Sequence, residues 1–385
     1  MSYIMKLKDT PLFEFEMASE GRELIVEVLS VLTADARLLP IDWVHRDLSN
    51  TETLAQELAS WLRHRSIPAN RAYVNNFLSR LGLAEHDVVG IMKLCRGLSL
   101  NDSYWIDESE DQHLFASVNL YDNRFSNIIA QMAFTGTGSS GVPGLSASPE
   151  FTTNGAYAKC WRRIDGTVYL FKEGSVGATN AGGEPYAEYY AADLAQSIGV
   201  NAVDYVPTVW KGHFCSKCPL FTSKDLSFVS AARLVKNGGL PAVARLYQGL
   251  GPKFSNALAD MLFFDALILN TDRHFGNFGV LVDSDSNRIV APAPLFDHGC
   301  SLLFQAMEGD FDADTLDAYL STQIPRAYSD FVGTAREYLG DAQGKKLEAA
   351  MDFGFHKHVR YNWPSWRLKK LEEIVHRQAE AILGD

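Results

Sequence analysis

Cysteine is scarce in this 385-residue chain: there are five, too few for a disulfide-stapled fold of this length and an odd number for complete pairing. Only Cys215 and Cys218 stand at ligand-like spacing, with His213 nearby; no second CxxC or His pair follows, and Cys95, Cys160 and Cys300 are scattered. A tetrahedral zinc site needs four ligands, so small buried thiols in a strand-turn-strand are the expectation there. Long apolar runs are also missing. The longest, Met261 to Leu269, carries Asp265 and falls far short of the roughly 18–20 residues of a membrane span. The N-terminus MSYIMKLKDTPLFEFEM mixes charges into its apolar residues and has no uninterrupted signal-peptide core. Basic residues are in deficit, 35 Lys and Arg against 47 Asp and Glu for a net charge of −12. A polyanion partner held by counterion release is therefore excluded as the default. The chain reads as cytoplasmic, with no membrane association and no direct nucleic-acid binding expected.

What is present is apolar material in quantity, 46% hydrophobic against 21% charged, enough for two or three packed units. An opening hairpin is expected from Ile4–Leu7 and Leu12–Met17 around the Asp9-Thr10-Pro11 turn. Leu54, Leu58, Trp61 and Leu62, then Val74, Phe77, Leu78 and Leu81, recur at helical spacing and give two amphipathic helices. The segment from Thr135 to Pro149 is rich in Gly, Ser, Thr and Pro and reads as a linker or mobile loop. Beyond it, Tyr157–Arg163 and Thr167–Lys172 meet at Asp165-Gly166, a strong hairpin signal. A helix follows over Glu184–Ile198 and stops at Gly199. Extended segments follow around Tyr205–Trp210 and Phe214–Thr222. From about residue 226 helical periodicity runs to the end, broken by one hairpin between Val280 and Val290. The last helix, opened by Pro364, is expected to bury Trp366, Leu368, Leu371, Ile374, Val375 and Ile382. The domain reading is 1–140, an α+β domain; 141–225, a β-rich lobe; and 226–385, a helical lobe.

A strand-rich stretch with one inserted helix, followed by a helical stretch, is the element order of a two-lobed phosphotransferase. Phosphoryl transfer from ATP needs metal ions on the phosphates, a cation on the triphosphate and a carboxylate that orients the attacking hydroxyl. The run LNTDRHFGNFG supplies Asp272 and, five residues on, Asn277, the spacing of base and metal ligand in a protein-kinase catalytic loop. Twenty residues further, Asp297 stands in PAPLFDHGCSL as the expected second Mg²⁺ ligand, and the intervening hairpin can return it beside Asn277. Lys172 ends a strand and Glu188 lies in the next helix, the arrangement of a phosphate-gripping lysine held by a glutamate. Glu184 competes for that role, although its place at the helix start suits N-terminal charge stabilisation. The turn from Thr152 to Lys159 offers one Gly and backbone amides that can cover phosphates.

These residues resemble the HipA-like bacterial serine/threonine kinases, distant relatives of the phosphatidylinositol kinases, over about residues 150–380. Asp272, Arg273, His274 and Asn277 look like the family's DRHxxN loop, and Gly155-Ala156-Tyr157-Ala158-Lys159 like its GAxxK phosphate loop. Asp297 falls where the family has its metal-binding Asp. The resemblance implies an α+β, two-lobed protein-kinase-like fold, with ATP and Mg²⁺ as cofactors and a Ser/Thr-bearing protein as substrate. Asp272 and His274 would be catalytic; Asn154, Gly155, Ala156, Lys159, Lys172 and Glu188 would bind nucleotide; Asn277 and Asp297 would hold metal. Family members are often toxins paired with a small DNA-binding antitoxin. The family loop carries a Ser that can be autophosphorylated; Thr152, Thr153 and Asn154 occupy that neighbourhood here. Residues 1–140 resemble the leader of a HipA subfamily, in RSIPANR and GLSLNDSYW.

Each residue also has a plainer reading. Asp272 can cap a helix, Asn277 can hold a turn and Asp297 can sit in a surface loop. Arg273 and His274 are expected to brace the loop, His274 packing near the transferred phosphate, and Asp265 to anchor it from within the preceding helix. Trp363, Trp366, Phe353, Phe355 and Tyr361 are expected in the core. Arg63, Arg65, Arg71 and Arg80 are expected to form a solvated basic face. His45-Arg46-Asp47-Leu48 and Asp352-Phe353-Gly354 imitate kinase motifs in the wrong order and are assigned to structure. Two alternatives remain: a nucleotide-binding regulator without transfer activity, and a small-molecule or lipid kinase.

Overall fold

The structure, a computed structural model, describes residues 1–21, 23–43, 46–84, 87–138 and 147–384. Most of the linker reading, and His45 of the first imitation motif, lie outside the described residues. The elements in order are β1 (Ser2–Leu7), β2 (Thr10–Glu20), β3 (Glu23–Val31), α1 (Thr51–His64), α2 (Val74–Arg80), α3 (Val88–Cys95), β4 (Tyr104–Glu108), α4 (Phe115–Val118) and α5 (Asn127–Thr135). There follow β5 (Lys159–Ile164), β6 (Thr167–Glu173), α6 (Glu184–Ile198), β7 (Val206–Trp210), β8 (His213–Pro219), β9 (Leu226–Ser230), α7 (Ala231–Leu234), α8 (Gly239–Leu250) and α9 (Pro252–Ile268). Last come β10 (Gly279–Asp283), β11 (Arg288–Pro292), α10 (Leu316–Ser321), α11 (Phe331–Tyr338), α12 (Asp341–Met351) and α13 (Ser365–Leu383). These elements assemble into two units: residues 1–171, 222–229 and 281–290, and residues 172–221, 230–280 and 291–385.

In the first unit an antiparallel sheet orders β3-β2-β1-β4. Alternation in β1 and β2 puts Met5, Leu7, Phe13 and Phe15 into the core, where α1 lays down Leu54, Leu58, Trp61 and Leu62. Leu7 pairs with Thr10, so the hairpin turns at Lys8-Asp9, one position before the expected turn, with Lys8 at φ 49°. Pro11 sits inside β2 opposite Lys6, next to a register shift, the kind of place where a strand tolerates proline. The Asp165-Gly166 pair has positive φ at both residues and turns β5 into β6. Of the four arginines expected on a solvated basic face, Arg63 is exposed and Arg80 half-buried, but the two between α1 and α2 are not solvated. Arg65 and Arg71 are buried: Arg65 pairs with Asp102 and donates to Gly97 O at 2.7 Å, while Arg63 reaches Leu24 O. Apolar stems and backbone carbonyls claim these guanidinium groups before water does.

The second unit is built on α9. It is apolar nearly all round, and residues Met261 to Ile268 are all buried as α8, α11, α12 and α13 pack against it. Helix α6 spans the expected residues and ends on Gly199 at φ 73°, the left-handed cap that a side chain would strain. Cys215 and Cys218 both lie in β8, three residues apart and therefore on opposite faces; burial pushes the Cys215 thiol up to about 12. Two expectations fail. Helical pattern does not resume at 226, because β9 comes first, and Trp366 of α13 is 38% exposed while Leu368, Leu371, Ile374, Val375 and Ile382 are buried. Trp366 follows Ser365 in the helix's first turn and packs edge-on against Phe311.

Candidate functional site

The chemistry-bearing residues of the second unit converge through α9. Its C-cap, Leu269, turns left-handed at φ 51° and releases the chain into the loop Asn270–Gly276. Asp265, fully buried in the last turn of α9, accepts from Arg273 Nε at 2.8 Å, Arg273 Nη2 at 3.0 Å and Asn270 Nδ2 at 3.1 Å. Arg273 is itself fully buried, and its Nη1 donates both to Asn277 O at 3.0 Å and to Phe296 O at 2.7 Å. One guanidinium nitrogen thus ties the residue before Asp297 to Asn277. Thr271 N donates to Cys300 O at 3.0 Å and Leu302 N to Ile268 O at 2.6 Å, so two further bonds fasten the 296–302 turn to the 268–277 loop. Burial works against the charge on Arg273, and the Asp265 carboxylate outweighs it and raises the guanidinium pKa.

Asp297 is held from the other side. Leu295 forms a parallel bridge with Ala202, and the Asp297 N–H donates to Tyr205 Oη at 3.0 Å. Asp297 has φ 61°, an uncommon conformation for a side-chain-bearing residue, of the kind that persists where surrounding contacts over-determine it. Lys172 Nζ donates to Glu188 Oε1 at 2.5 Å and also to Asp297 Oδ1. Glu188 is completed by Ser216 Oγ at 3.3 Å on its other oxygen. Burial opposes the charge on Lys172, but Asp297 and Glu188 together raise its pKa well above the ordinary amine value. Gly299 allows this close approach: a Cβ there would stand 3.2 Å from Glu184 Cβ and 3.3 Å from Glu188 Oε1. Between the two helix glutamates, it is Glu188 that meets the lysine. Glu184 is buried, and neither of its carboxylate oxygens has a hydrogen-bond partner.

The remaining residues of the loop differ in exposure. Asp272 is partly open to solvent and pairs with Arg326 Nη1 at 2.5 Å. His274 accepts from Gly276 N at 3.0 Å through Nδ1, closing the turn; burial lowers its pKa, against the opposing charge of Asp272. The Asn277 side-chain Nδ2 is buried with no partner. His298, fully buried, has Nδ1 3.2 Å from Arg273 Nη2. A guanidinium only donates, so Nδ1 accepts and the proton of the neutral ring lies on Nε2. Burial, then Arg273, depresses the His298 pKa well below the ordinary value. Sequence reading missed Tyr205, Ser216, His298 and Arg326. Only His298 had a signal, its place beside Asp297; the others act through folding alone.

The turn read as a phosphate loop lies in the first unit. Asn154, Gly155 and Ala156 are exposed, and Lys159 is buried with Nζ donating to Asn154 O at 2.8 Å. Gly155 has φ 101°, a conformation that side-chain-bearing residues rarely adopt, and it leaves room for Lys159 Nζ to approach the turn. The neighbouring hydroxyls are engaged: Thr152 Oγ1 donates to Leu98 O at 2.8 Å, and Thr153 Oγ1 donates to Pro149 O at 2.6 Å and accepts from Trp161 Nε1 at 2.8 Å. Of the imitation motifs, Asp352 is only the C-cap of α12 and Phe353 is buried. No helix among the described residues is long and apolar enough to cross a membrane.

No protein-family model and no curated protein sequence matches the chain. Solved structures do. A chain of the Shewanella oneidensis toxin–antitoxin complex of HipA, HipB and operator DNA superposes with a TM-score of 0.53 at 13% identity, over 99% of this chain and 97% of that one. The Helicobacter pylori proinflammatory kinase CtkA gives a TM-score of 0.46 at 18% identity, over 60% of this chain and 90% of that one.

Proposed function

From a fold that is HipA-like over its full length, we propose that the chain is an ATP- and Mg²⁺-dependent phosphotransferase of the serine/threonine protein kinase class. The observation that carries this reading is the Lys172 ammonium shared by Glu188 and Asp297, in one unit with the Asp265–Arg273 pair that holds the Asn277 carbonyl. A solvated surface charge needs no such network. Asn277, with its buried unpartnered amide, and Asp297 offer hard oxygen ligands suited to Mg²⁺. When bound, the ion supplies charge neutralisation to the phosphates.

In this reading Lys172 grips the triphosphate while Glu188 and Ser216 keep it oriented. Asp272, the part-exposed carboxylate of the loop, orients the acceptor hydroxyl and takes its proton, and Arg326 must yield to let that hydroxyl in. His274 shapes the turn beside it. Asn154, Gly155, Ala156 and Lys159 are the proposed phosphate-binding turn. A small DNA-binding protein is the proposed partner, on the strength of the full-length likeness to a fold whose solved example is complexed with HipB and operator DNA.

The test is transfer of radiolabelled γ-phosphate from ATP to a protein acceptor. Asp272→Asn and Asp297→Asn should each lower the rate by roughly 10²-fold or more, several kcal/mol of transition-state stabilisation. Parental rates in either variant would refute the assignment.

A further inference from the structure

Four consecutive carbonyls of the loop, Thr153 to Ala156, each receive a donor. Arg71 Nη2 reaches Thr153 O, Lys159 Nζ reaches Asn154 O at 2.8 Å, Arg71 Nε reaches Gly155 O at 2.6 Å, and Ala72 N reaches Ala156 O at 2.8 Å. In a trans peptide the C=O and the following N–H point in opposite directions. Fixing the carbonyls of Thr153, Asn154 and Gly155 therefore turns the N–H groups of Asn154, Gly155 and Ala156 away from those donors. Among the described residues, these three amides have no protein acceptor. A short run of oriented N–H groups with their carbonyls tied off behind them is a concavity for oxyanions.

Three of the four carbonyls are held by residues 71 and 72, where the sequence suggested only a solvated basic face. Arg71 is buried, and among the described residues no carboxylate oxygen bonds it; its partners there are the two loop carbonyls, and Nη1 is left over. Burial draws its pKa down to about 10, with Glu150 opposing. A guanidinium withdrawn from water to hold two backbone carbonyls of an exposed loop fixes peptide orientation at a cost that a simple core residue would not incur.

We infer that the Arg71-Ala72 turn is the cradle of the loop, and that Arg71 is a positioning residue presenting the Asn154–Ala156 amides to nucleotide phosphates. The inference rests on the proposed nucleotide-binding role of that loop. It assigns to Arg71 a part in setting ATP affinity.

The experiment uses the full chain and two variants. Arg71→Lys keeps the charge and the stem but has no fork to span two carbonyls; Arg71→Gln also removes the charge. Amide hydrogen exchange of the peptide carrying Ala72, whose N–H is bonded to Ala156 O, is measured without nucleotide, and KM and kcat with ATP and Mg²⁺. Exchange in Arg71→Lys should quicken tenfold or more and KM for ATP should rise tenfold or more, with kcat within threefold; Arg71→Gln should exceed Arg71→Lys in both. Trp161→Phe, which releases Thr153 Oγ1 and leaves Arg71 in place, should raise KM less than either and shows whether a lost bond anywhere in the loop suffices. Exchange unchanged in Arg71→Lys, or kcat falling at constant KM, would overturn the cradle even in a chain that binds ATP. A parental chain that bound no ATP would overturn the functional reading instead, while the exchange comparison would still decide whether Arg71 orders the loop.

Discussion

The phosphate loop of the first unit and the Asp265–Arg273–Asp297 hub of the second both present polar groups for chemistry, but they are held in opposite ways. The loop is exposed at Asn154, Gly155 and Ala156 and is ordered through its backbone carbonyls by side chains and one amide from elsewhere in its unit. The hub is buried at its centre, where Asp265, Arg273 and His298 are each fully excluded from solvent and hold one another, and only Asp297 at its edge is half-exposed. A group that must open to admit a ligand is best fastened by a few bonds that exchange easily. One that must fix two carboxylates is best fastened where water cannot compete. The difference separates the two kinds of stability in the molecule, and it can be tested from the strongest expected effect down.

Arg273→Met should be the most damaging change. It strands Asp265 as an unpaired buried carboxylate and frees the carbonyls of Asn277 and Phe296, so a loss of about 3–5 kcal/mol in urea unfolding is expected, with phosphotransfer abolished. A loss below about 1 kcal/mol would mean that the hub is no more tightly held than the loop. The His298 ring comes next. Its folded pKa lies well below the ordinary 6.5, so the unfolded state takes up the proton first as pH falls. Stability is therefore complete above about pH 6.5 and drains below it, at a limiting slope of about 1.4 kcal/mol per pH unit. His298→Asn should flatten that slope by one proton when unfolding is compared at pH 7.5 and 5.5; an unchanged slope would remove His298 from the account. The smallest effect is expected at Arg377 and Asp317, whose side chains are 59% and 75% exposed. Arg377→Ala should change stability by less than about 1 kcal/mol, which calibrates the other two.

Much of this arrangement was legible residue by residue. The helix from Glu184 to Ile198 was readable because its periodicity, its first-turn Pro185 and its terminal Gly199 all agree. The hairpin at Asp165-Gly166 was readable because few residue pairs accept two positive φ values. Asp265 was legible as an anchor, since one carboxylate in an apolar helix must find a partner. The burial of Arg65 and Arg71 was not: a charged residue in sequence carries no mark of whether its head reaches water or a carbonyl many positions away, as Arg71 does at Gly155. Strand β9 was obscured because a five-residue run next to helical periodicity gives too few repeats to fix a period. Trp366 was misplaced because the first turn of a helix can present a large side chain to the surface while the rest of the face is buried.

The sequence by itself determined the inventory and the local geometry: which carboxylates, lysines and glycines exist, in what order, and at what spacing along loops and helices. Those properties depend on bonds between near neighbours, where torsional preferences and periodicity dominate. Only the tertiary structure decided that Glu188 and not Glu184 meets Lys172, that Arg273 ties Asn277 to the residue before Asp297, and that Arg71 holds the loop carbonyls. Those choices turn on distances of a few ångströms between residues far apart in the chain. They are fixed by which apolar faces pack together and by the requirement that each buried polar group find a partner.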